Sequence, residues 1–379
     1  MAYKDLHKLK KIAVVEKEII KTPFLVVGKD IFSLSLYKDI KKNKGLDQVR
    51  LLSEDIISEA DLFPKGPSTL RGETNQKLFK EVYPQVEISK SIDNALFYKE
   101  MAWKSFGGRS KSEILKYDEG FYTGDRIDLD FNSAFSDFYI NADQLAEINS
   151  QAYQVKIKSV KKSGEGFIVE CINGTEFHTE ELFFGLSPYK YLQFYKEKNE
   201  LSDEFMQFCE STKTSSALFV KFLFTDNPLS EMKETLFIPL SYTHDWGHFI
   251  GEFKSKNGHQ EIEFMHFLED QIVSEEDVSR IIRLLKKSME KIFPSFLKIN
   301  VQEFIALEQE IGCLKIDDSF FKQALESSKK ETNNLTFIGI NAPITEEHGG
   351  IGSFEYSKET LNNLMRGLII HENLTKKFK

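Results

Sequence analysis

The residues of this chain best suited to chemistry lie in a short turn, "VVGKDIFS", between an apolar run and a helix-like stretch. A dinucleotide-binding turn has three glycines here: one makes the tight turn, one lets the backbone approach the pyrophosphate, and one lets helix and strand pack closely. Only Gly28 is kept, and Asp30 and Ser33 stand at the second and third positions. The pattern predicts either a nucleotide-binding turn with two altered positions or a strand-helix unit that binds no ligand.

The carboxylate of Asp30 would lie near the phosphates of a bound dinucleotide. Two unit charges about 4 Å apart repel by roughly 4 kcal/mol at an effective dielectric constant of about 20. That penalty is an upper bound, and it would change a nanomolar affinity into roughly a micromolar one. A side chain that turns outward, or the neighbouring Lys29, would reduce it.

A second cluster of glycines follows the apolar run "NLTFIGIN". The run contains Gly339, and "HGGIGSFE" then places Gly349, Gly350, Gly352 and Ser353 at the start of a helix-like stretch. Backbone amides and the positive end of a helix dipole favour an electron-rich group at such a turn. The cluster therefore predicts a second turn that faces a ligand.

The elements that must position these turns follow from hydrophobic periodicity. A strand at 24–28, a helix at 31–42 and a strand at 48–55 have the size of a βαβ unit. The second strand ends in "LLSED", from which Glu54 is predicted to reach ribose hydroxyls. Further along, the patterns predict a short helix at 74–82, a hairpin at 94–108, a meander from 153 followed by a buried strand at 182–186, strands at 216–224, 235–240 and 261–267, and an amphipathic helix at 274–293 capped by Ser274.

In these residues the chain resembles the flavin-containing amine oxidase and phytoene desaturase superfamily. "NLTFIGIN" is similar to that family's closing strand of the type "NLYFAGE", and the meander, which ends in a small-residue turn, is similar to its strand pair. The resemblance implies an α/β fold, with an FAD/NAD(P)-binding Rossmann-like domain and an inserted mixed-sheet α+β substrate domain. It assigns residues 22–60, 139–190 and 334–379 to the first domain and residues 61–138 and 191–333 to the second.

The resemblance also implies which residues bind the cofactor FAD: Gly28, Lys29, Asp30, Ser33, Glu54, Ile157, Gly339, Asn341, Gly350, Gly352 and Ser353. By family position, Gly28 and Ser33 line the pyrophosphate turn and Glu54 holds the adenosine ribose. The backbone of Ile157 faces the adenine. Gly339 and Asn341 lie by the ribityl chain and pyrophosphate, and the amides of Gly352 and Ser353 face the flavin. The family usually has Asp or Glu where Asn341 stands, and an Asn keeps an acceptor while adding donors.

Two functions stay open at this point. The resemblance implies an FAD-dependent oxidoreductase of the amine oxidase or desaturase type, in which a hydride passes from a C–N or C–C bond to the flavin. The alternative is a non-catalytic relative that has weakened or lost FAD binding and acts as a binding or scaffold protein. No catalytic residue is assigned in either case.

Composition limits the expected partners. The net charge of -9 comes from interspersed acids and bases, so nucleic acid is not an expected partner. Cys171, Cys209 and Cys313 lack C-x-x-C spacing, and "HDWGH" lacks the H-E-x-x-H pattern, so no metal site is predicted. No apolar run approaches the roughly eighteen residues of a membrane helix. We therefore expect a cytoplasmic protein that acts on a small molecule if it is an enzyme, with a protein partner or a homo-oligomer as further contacts.

Overall fold

The computed structural model describes residues 18–58, 70–71, 90–92, 96–105, 125–127, 140–213, 216–224, 236–238, 249–256, 259–268, 274–294, 301–308 and 318–339. The strands are β1 (Ile19–Val27), β2 (Val49–Ser53), β3 (Leu70–Arg71), β4 (Lys90–Ile92), β5 (Leu96–Lys99), β6 (Ala102–Ser105), β7 (Asp125–Ile127), β8 (Tyr153–Gln154), β9 (Ile157–Ser163), β10 (Gly166–Cys171), β11 (Glu176–Phe184), β12 (Ser216–Phe224), β13 (Leu236–Ile238), β14 (Ile250–Lys256), β15 (His259–Leu268), β16 (Val301–Glu308) and β17 (Leu335–Phe337). The helices are α1 (Ile31–Lys44), α2 (Ala142–Gln151), α3 (Pro188–Phe194), α4 (Asp203–Ser211), α5 (Glu275–Ile292), α6 (Asp318–Ser327) and α7 (Lys329–Thr332). Within these ranges, no helix is both long and apolar enough to cross a membrane.

The first sheet contains both the predicted βαβ unit and the meander. Its strands lie in the order β8-β2-β1-β11-β10-β9, and β17 also pairs with β11. The strands β8, β2, β1, β11 and β17 are parallel, whereas β10 and β9 are antiparallel to their neighbours. The register pairs Val27 of β1 with both Leu52 and Phe184, and Phe184 with Phe337. The carboxyl ends of β2, β1, β11 and β17 therefore lie at one edge of the sheet.

The strands of this sheet have continuous apolar sequences because they are buried on both faces. Leu25, Val26, Leu51 and Leu182 are fully buried, as expected for parallel strands that are covered on both faces. Burying one such side chain stabilises the fold by roughly 1.5–3 kcal/mol. Helices supply the remaining side chains of the same core, among them Leu34 and Ile40 of α1, Leu145 of α2, Tyr191 of α3, Phe205 and Phe208 of α4 and Phe321 of α6.

The second sheet has the strand order β16-β12-β15-β14-β13-β5-β6 and is antiparallel except where β13 pairs with β5. The amphipathic helix α5 shares an apolar core with this sheet, in which Leu285 and Met289 belong to the same cluster as Leu218 and Phe264. The hydroxyl of Ser274 caps α5 by accepting the Asp277 N–H at 3.1 Å. A third sheet joins β3, β7 and β4.

Most of the predicted elements are confirmed. The strands and helix of the βαβ unit, the hairpin, the strand at 216–224 and the helix at 274–293 match β1, α1, β2, the β5–β6 hairpin, β12 and α5. The separate strand predicted at 182–186 is wrong, because it is the second half of the single strand β11. Along β11, residues 176–179 pair with β10 and residues 182–184 pair with β17, so the partner changes while the strand continues. The helix predicted at 74–82 and the second glycine turn lie outside the described residues.

Candidate functional site

Glycines follow three neighbouring strands at the carboxyl edge of the first sheet. Gly28 follows β1 directly, Gly185 follows β11 directly, and Gly339 lies two residues after β17. Backbone hydrogen bonds hold these strand ends together, from Gly28 N–H to the Leu52 carbonyl (3.0 Å), from Gly185 N–H to the Val27 carbonyl (2.7 Å) and from Ile338 N–H to the Phe184 carbonyl (3.0 Å). The edge therefore presents backbone without side chains at three adjacent positions.

The close approach of these strands to α1 requires the glycines. A Cβ on Gly28 would lie 2.4 Å from the Ser33 hydroxyl oxygen, and a Cβ on Gly185 would lie 2.3 Å from the same atom. A Cβ on Gly185 would also lie 2.6 Å from the Val27 carbonyl oxygen. Ser33 is itself completely buried. A small residue at the third position of the turn therefore still serves close packing between helix and strands.

Asp30 is the N-cap of α1, with its side chain turned back onto its own helix. Its Oδ1 accepts the amide N–H of Phe32 at 2.9 Å and that of Ser33 at 3.1 Å. Its Oδ2 accepts the Ser33 hydroxyl at 2.8 Å. The same carboxylate lies 3.1–3.2 Å from the position that a Cβ on Gly339 would take. The carboxylate is thus held between the start of α1 and the end of β17.

The environment of this carboxylate acts on its charge in two opposing ways. Burial raises the pKa of Asp30 above its ordinary value, and the hydrogen bonds from Ser33 and Phe32 offset part of that rise. The first amides of a helix have no partner within the helix and are the donors that commonly bind a phosphate. Here a carboxylate of the chain itself takes two of these donors.

Glu54 lies at the same edge, directly after β2, in a different setting. The residue is half-buried, and within the described ranges its carboxylate has no hydrogen-bond or ion-pair partner. The neighbouring Ser53 is buried, and its hydroxyl donates to the Asp55 carbonyl at 2.7 Å. Glu54 therefore carries an acceptor group that no other described residue uses.

Sequence reasoning missed two residues of this edge. Gly185 was predicted only as part of a small-residue turn, although a glycine directly after a buried strand was a usable signal. Val155 has no signal in the sequence, and its N–H donates to the Ser53 carbonyl at 2.9 Å, beside Glu54. Ile157, the predicted adenine contact, begins β9 two residues later and is buried opposite Cys171.

The structure brings Gly28, Lys29, Asp30, Ser33 and Gly339 together around the start of α1. Lys29 is half-buried and makes interactions within the protein. The other predicted cofactor-binding residues, Asn341, Gly350, Gly352 and Ser353, lie outside the described residues. The structure thus describes the α1 side of the predicted nucleotide-binding turn.

Comparison with known proteins identifies the fold. No protein-family model and no curated protein sequence matches the chain. Among solved structures, a protein from Exiguobacterium sp. 255-15 assigned as protoporphyrinogen oxidase is similar with a TM-score of 0.58 and 11% identity, over 93% of this chain and 99% of the other. A double mutant of putrescine oxidase with redesigned cofactor binding has a TM-score of 0.52 and 7% identity, over 95% of this chain and 99% of the other.

A third solved structure, 2,6-dihydroxypyridine-3-hydroxylase from Arthrobacter nicotinovorans, is similar with a TM-score of 0.50 and 10% identity, over 95% of this chain and 84% of the other. Similarity at such low identity shows the fold. The predicted fold class is confirmed: the chain has the α/β fold of these solved structures, with a Rossmann-like, largely parallel sheet and a second, largely antiparallel sheet.

The residues at the carboxyl edge suit the ribose and the phosphates of an adenine dinucleotide to different degrees. Glu54 leaves an acceptor for a ribose, whereas the space beside Gly28, Gly185 and Gly339 is filled by Ser33 and Asp30. The amides of Phe32 and Ser33, which a phosphate would use, are bonded to Asp30. A phosphate could therefore use these two amides only if the Asp30 side chain left them.

Proposed function

We propose that this protein is an FAD-dependent oxidoreductase resembling amine oxidases and desaturases, in which a hydride passes from a C–N or C–C bond to the flavin. The observation that supports it is the edge where three strands meet α1, with Glu54 directly after β2. Open α/β sheets bind ligands outside the carboxyl ends of their strands. Flavin supplies the redox chemistry when bound, and the protein supplies binding and orientation.

In this proposal the described residues hold the adenosine half of FAD. Glu54 accepts hydrogen bonds from the ribose hydroxyls, and displacement of the Asp30 side chain lets the diphosphate reach the turn at Gly28 and the backbone at Gly339. The backbone of Ile157 faces the adenine, while its side chain stays in the core of the first sheet. On the flavin side, the proposal keeps the residues implied by family position, which are Asn341, Gly350, Gly352 and Ser353.

The second candidate function is a non-catalytic relative with weakened or lost FAD binding that serves as a binding or scaffold protein. One observation favours it specifically: Asp30 takes the helix amides and the Ser33 hydroxyl for itself. Under this alternative the fold is kept because its core is large, and the nucleotide turn no longer needs to admit phosphate.

The absorbance spectrum of the purified protein separates the two candidates. A yellow preparation that releases FAD on denaturation is the result expected for the oxidoreductase. Colourless protein that cannot be reconstituted with excess FAD contradicts it and supports the non-catalytic relative. Glu54→Gln is the matched variant, since it keeps the size of the side chain and removes the charge proposed to hold the ribose.

We further propose the division into an FAD-binding domain (22–60, 139–190 and 334–379) and a substrate domain (61–138 and 191–333). A cytoplasmic location and a small-molecule substrate belong to the same proposal. Limited proteolysis in the presence and absence of FAD tests the division, because cofactor binding would protect segments of the first domain selectively.

A further inference from the structure

The start of α1 offers only a small set of hydrogen-bond donors, and the protein uses most of them. Leu34 N–H donates to the Asp30 carbonyl at 3.1 Å, as the first bond within the helix. The N–H groups of Phe32 and Ser33 donate to Asp30 Oδ1, and the Ser33 hydroxyl donates to Oδ2. A phosphate oxygen arriving at this turn would need the same donors.

The position of the carboxylate is set from two independent sides. On one side are the helix donors. On the other is the backbone of Gly339 after β17, with the Asp30 oxygens 3.1–3.2 Å from where a Cβ would stand. A Cβ on Gly185 would also lie 3.3 Å from Asp30 Oδ2. The carboxylate thus lies against the backbone after β11 and β17 as well as against its own helix.

We infer that Asp30 is an intramolecular occupant of the phosphate position, so that an adenine dinucleotide enters this turn only by displacing its side chain. This inference rests on the proposed nucleotide site and names what controls the affinity of that site. It makes Asp30 a specificity-determining residue: the turn as it stands discriminates against phosphate, whereas the Glu54 side remains open to a nucleoside.

Two explanations of weak phosphate binding can be separated by one pair of substitutions: the Asp30 side chain occupies the phosphate position, or its charge repels the phosphate. Asp30→Asn removes the charge but keeps an Oδ1 that accepts from the Phe32 and Ser33 amides. Asp30→Gly removes the side chain and frees both amides, and glycine is still tolerated at an N-cap. If the side chain competes for donors, only Asp30→Gly opens the turn. If repulsion alone weakens binding, both substitutions strengthen it to a similar degree.

The test measures the affinity of the full-length wild type and both variants for ADP and for adenosine by isothermal titration calorimetry. Asp47→Asn and Asp47→Gly are the matched controls, because they remove an exposed carboxylate from the turn before β2. We expect Asp30→Gly to tighten ADP binding by at least about tenfold, since a charged hydrogen-bonded competitor is removed. Asp30→Asn and the controls should leave ADP affinity within about twofold, and adenosine affinity should be the same in all proteins.

Two results overturn the inference: equal gains for Asp30→Asn and Asp30→Gly, or no gain for Asp30→Gly in a protein whose circular dichroism shows that it is folded. Asp30→Ala serves as a second open variant if the glycine variant does not fold, because the φ of -72° at this position suits alanine.

FAD titrations of the same proteins separate the inference from the proposed function. A gain in ADP affinity without any bound flavin supports the inference and contradicts the oxidoreductase. Wild-type protein that binds FAD as tightly as Asp30→Gly supports the oxidoreductase and overturns the inference.

Discussion

Two carboxylates at the same edge of the first sheet, Asp30 and Glu54, are in opposite states. Asp30 accepts three hydrogen bonds from the start of α1, whereas Glu54 has no partner within the described residues. The difference comes from the backbone that each residue follows. Asp30 stands at a helix N-terminus, where N–H groups lack intrahelical partners, and Glu54 stands after a strand whose backbone groups are paired. One acid therefore uses the donors around it, and the other leaves its acceptors unused by the described residues.

The largest effect is expected for the packing that holds this edge together. Gly185→Ala would place a Cβ 2.3 Å from the Ser33 hydroxyl and 2.6 Å from the Val27 carbonyl. Overpacking of this kind costs about 3 kcal/mol of unfolding free energy, which urea denaturation measures. Gly45→Ala is the control, since a Cβ there has no neighbour within 4 Å, although its φ of +99° adds strain. A smaller loss at Gly185 than at Gly45 would show that the edge has room for a side chain.

The next effect concerns the open carboxylate. Glu54→Gln should weaken adenosine binding by about tenfold, because hydrogen bonds to charged groups contribute roughly 1.5–3 kcal/mol. The free energy of unfolding should change by less than about 0.5 kcal/mol, as for most surface substitutions. Calorimetric titration and urea denaturation of the same preparation check both parts. Asp55→Asn, on the exposed neighbour, is the control, and equal losses for the two variants would contradict the assignment to Glu54.

A smaller effect separates two contributions of Asp30 to stability: the hydrogen bonds of its N-cap and the charge of its buried carboxylate. Because burial raises the pKa of Asp30, its contribution to stability is fully present below the unfolded value of about 3.8 and decreases as the pH rises through the raised value. Asp30→Asn keeps the cap acceptor without the charge, so its unfolding free energy relative to wild type should increase as the pH rises above about 3.8. Asp30→Ala lacks the cap and should lose about 1 kcal/mol. If the unfolding free energy of Asp30→Asn relative to wild type instead decreased as the pH rose, the hydrogen bonds would outweigh burial in setting the pKa of Asp30.

The smallest effect is expected at Glu170. Its pKa is shifted downward, in the opposite direction to that of Asp30. Lys158 and Lys196 each lie 2.6 Å from its carboxylate, and hydrogen bonds from them lower the pKa of Glu170 to about 2. Its contribution is therefore present above about pH 4.5 and is lost as the pH falls toward 2. Both lysines are about half exposed, so Glu170→Gln should cost little at neutral pH. Acid denaturation of this variant should follow a shallower curve than that of the wild type, and an unchanged curve would contradict the prediction.

Much of the fold follows from local pattern. The run "FLVV" predicts a buried strand, and Ser274 marks the start of α5. The pairing of distant strands is harder to predict from the sequence. Nothing in residues 176–184 shows that β11 changes its partner from β10 to β17 along its length. That change depends on a strand some 150 residues away in the chain, which periodicity does not report.

The candidate site divides in the same way. Residue types and spacing by themselves determined that Gly28, Asp30 and Ser33 lie in the strand-helix turn of a βαβ unit and that an acid follows β2, because these depend on neighbours within that unit. Only the tertiary structure decided that Asp30 turns inward and that Gly185 and Gly339 meet it there. A side-chain rotamer is set by the donors and backbone around it, and here those come from α1, β11 and β17 together.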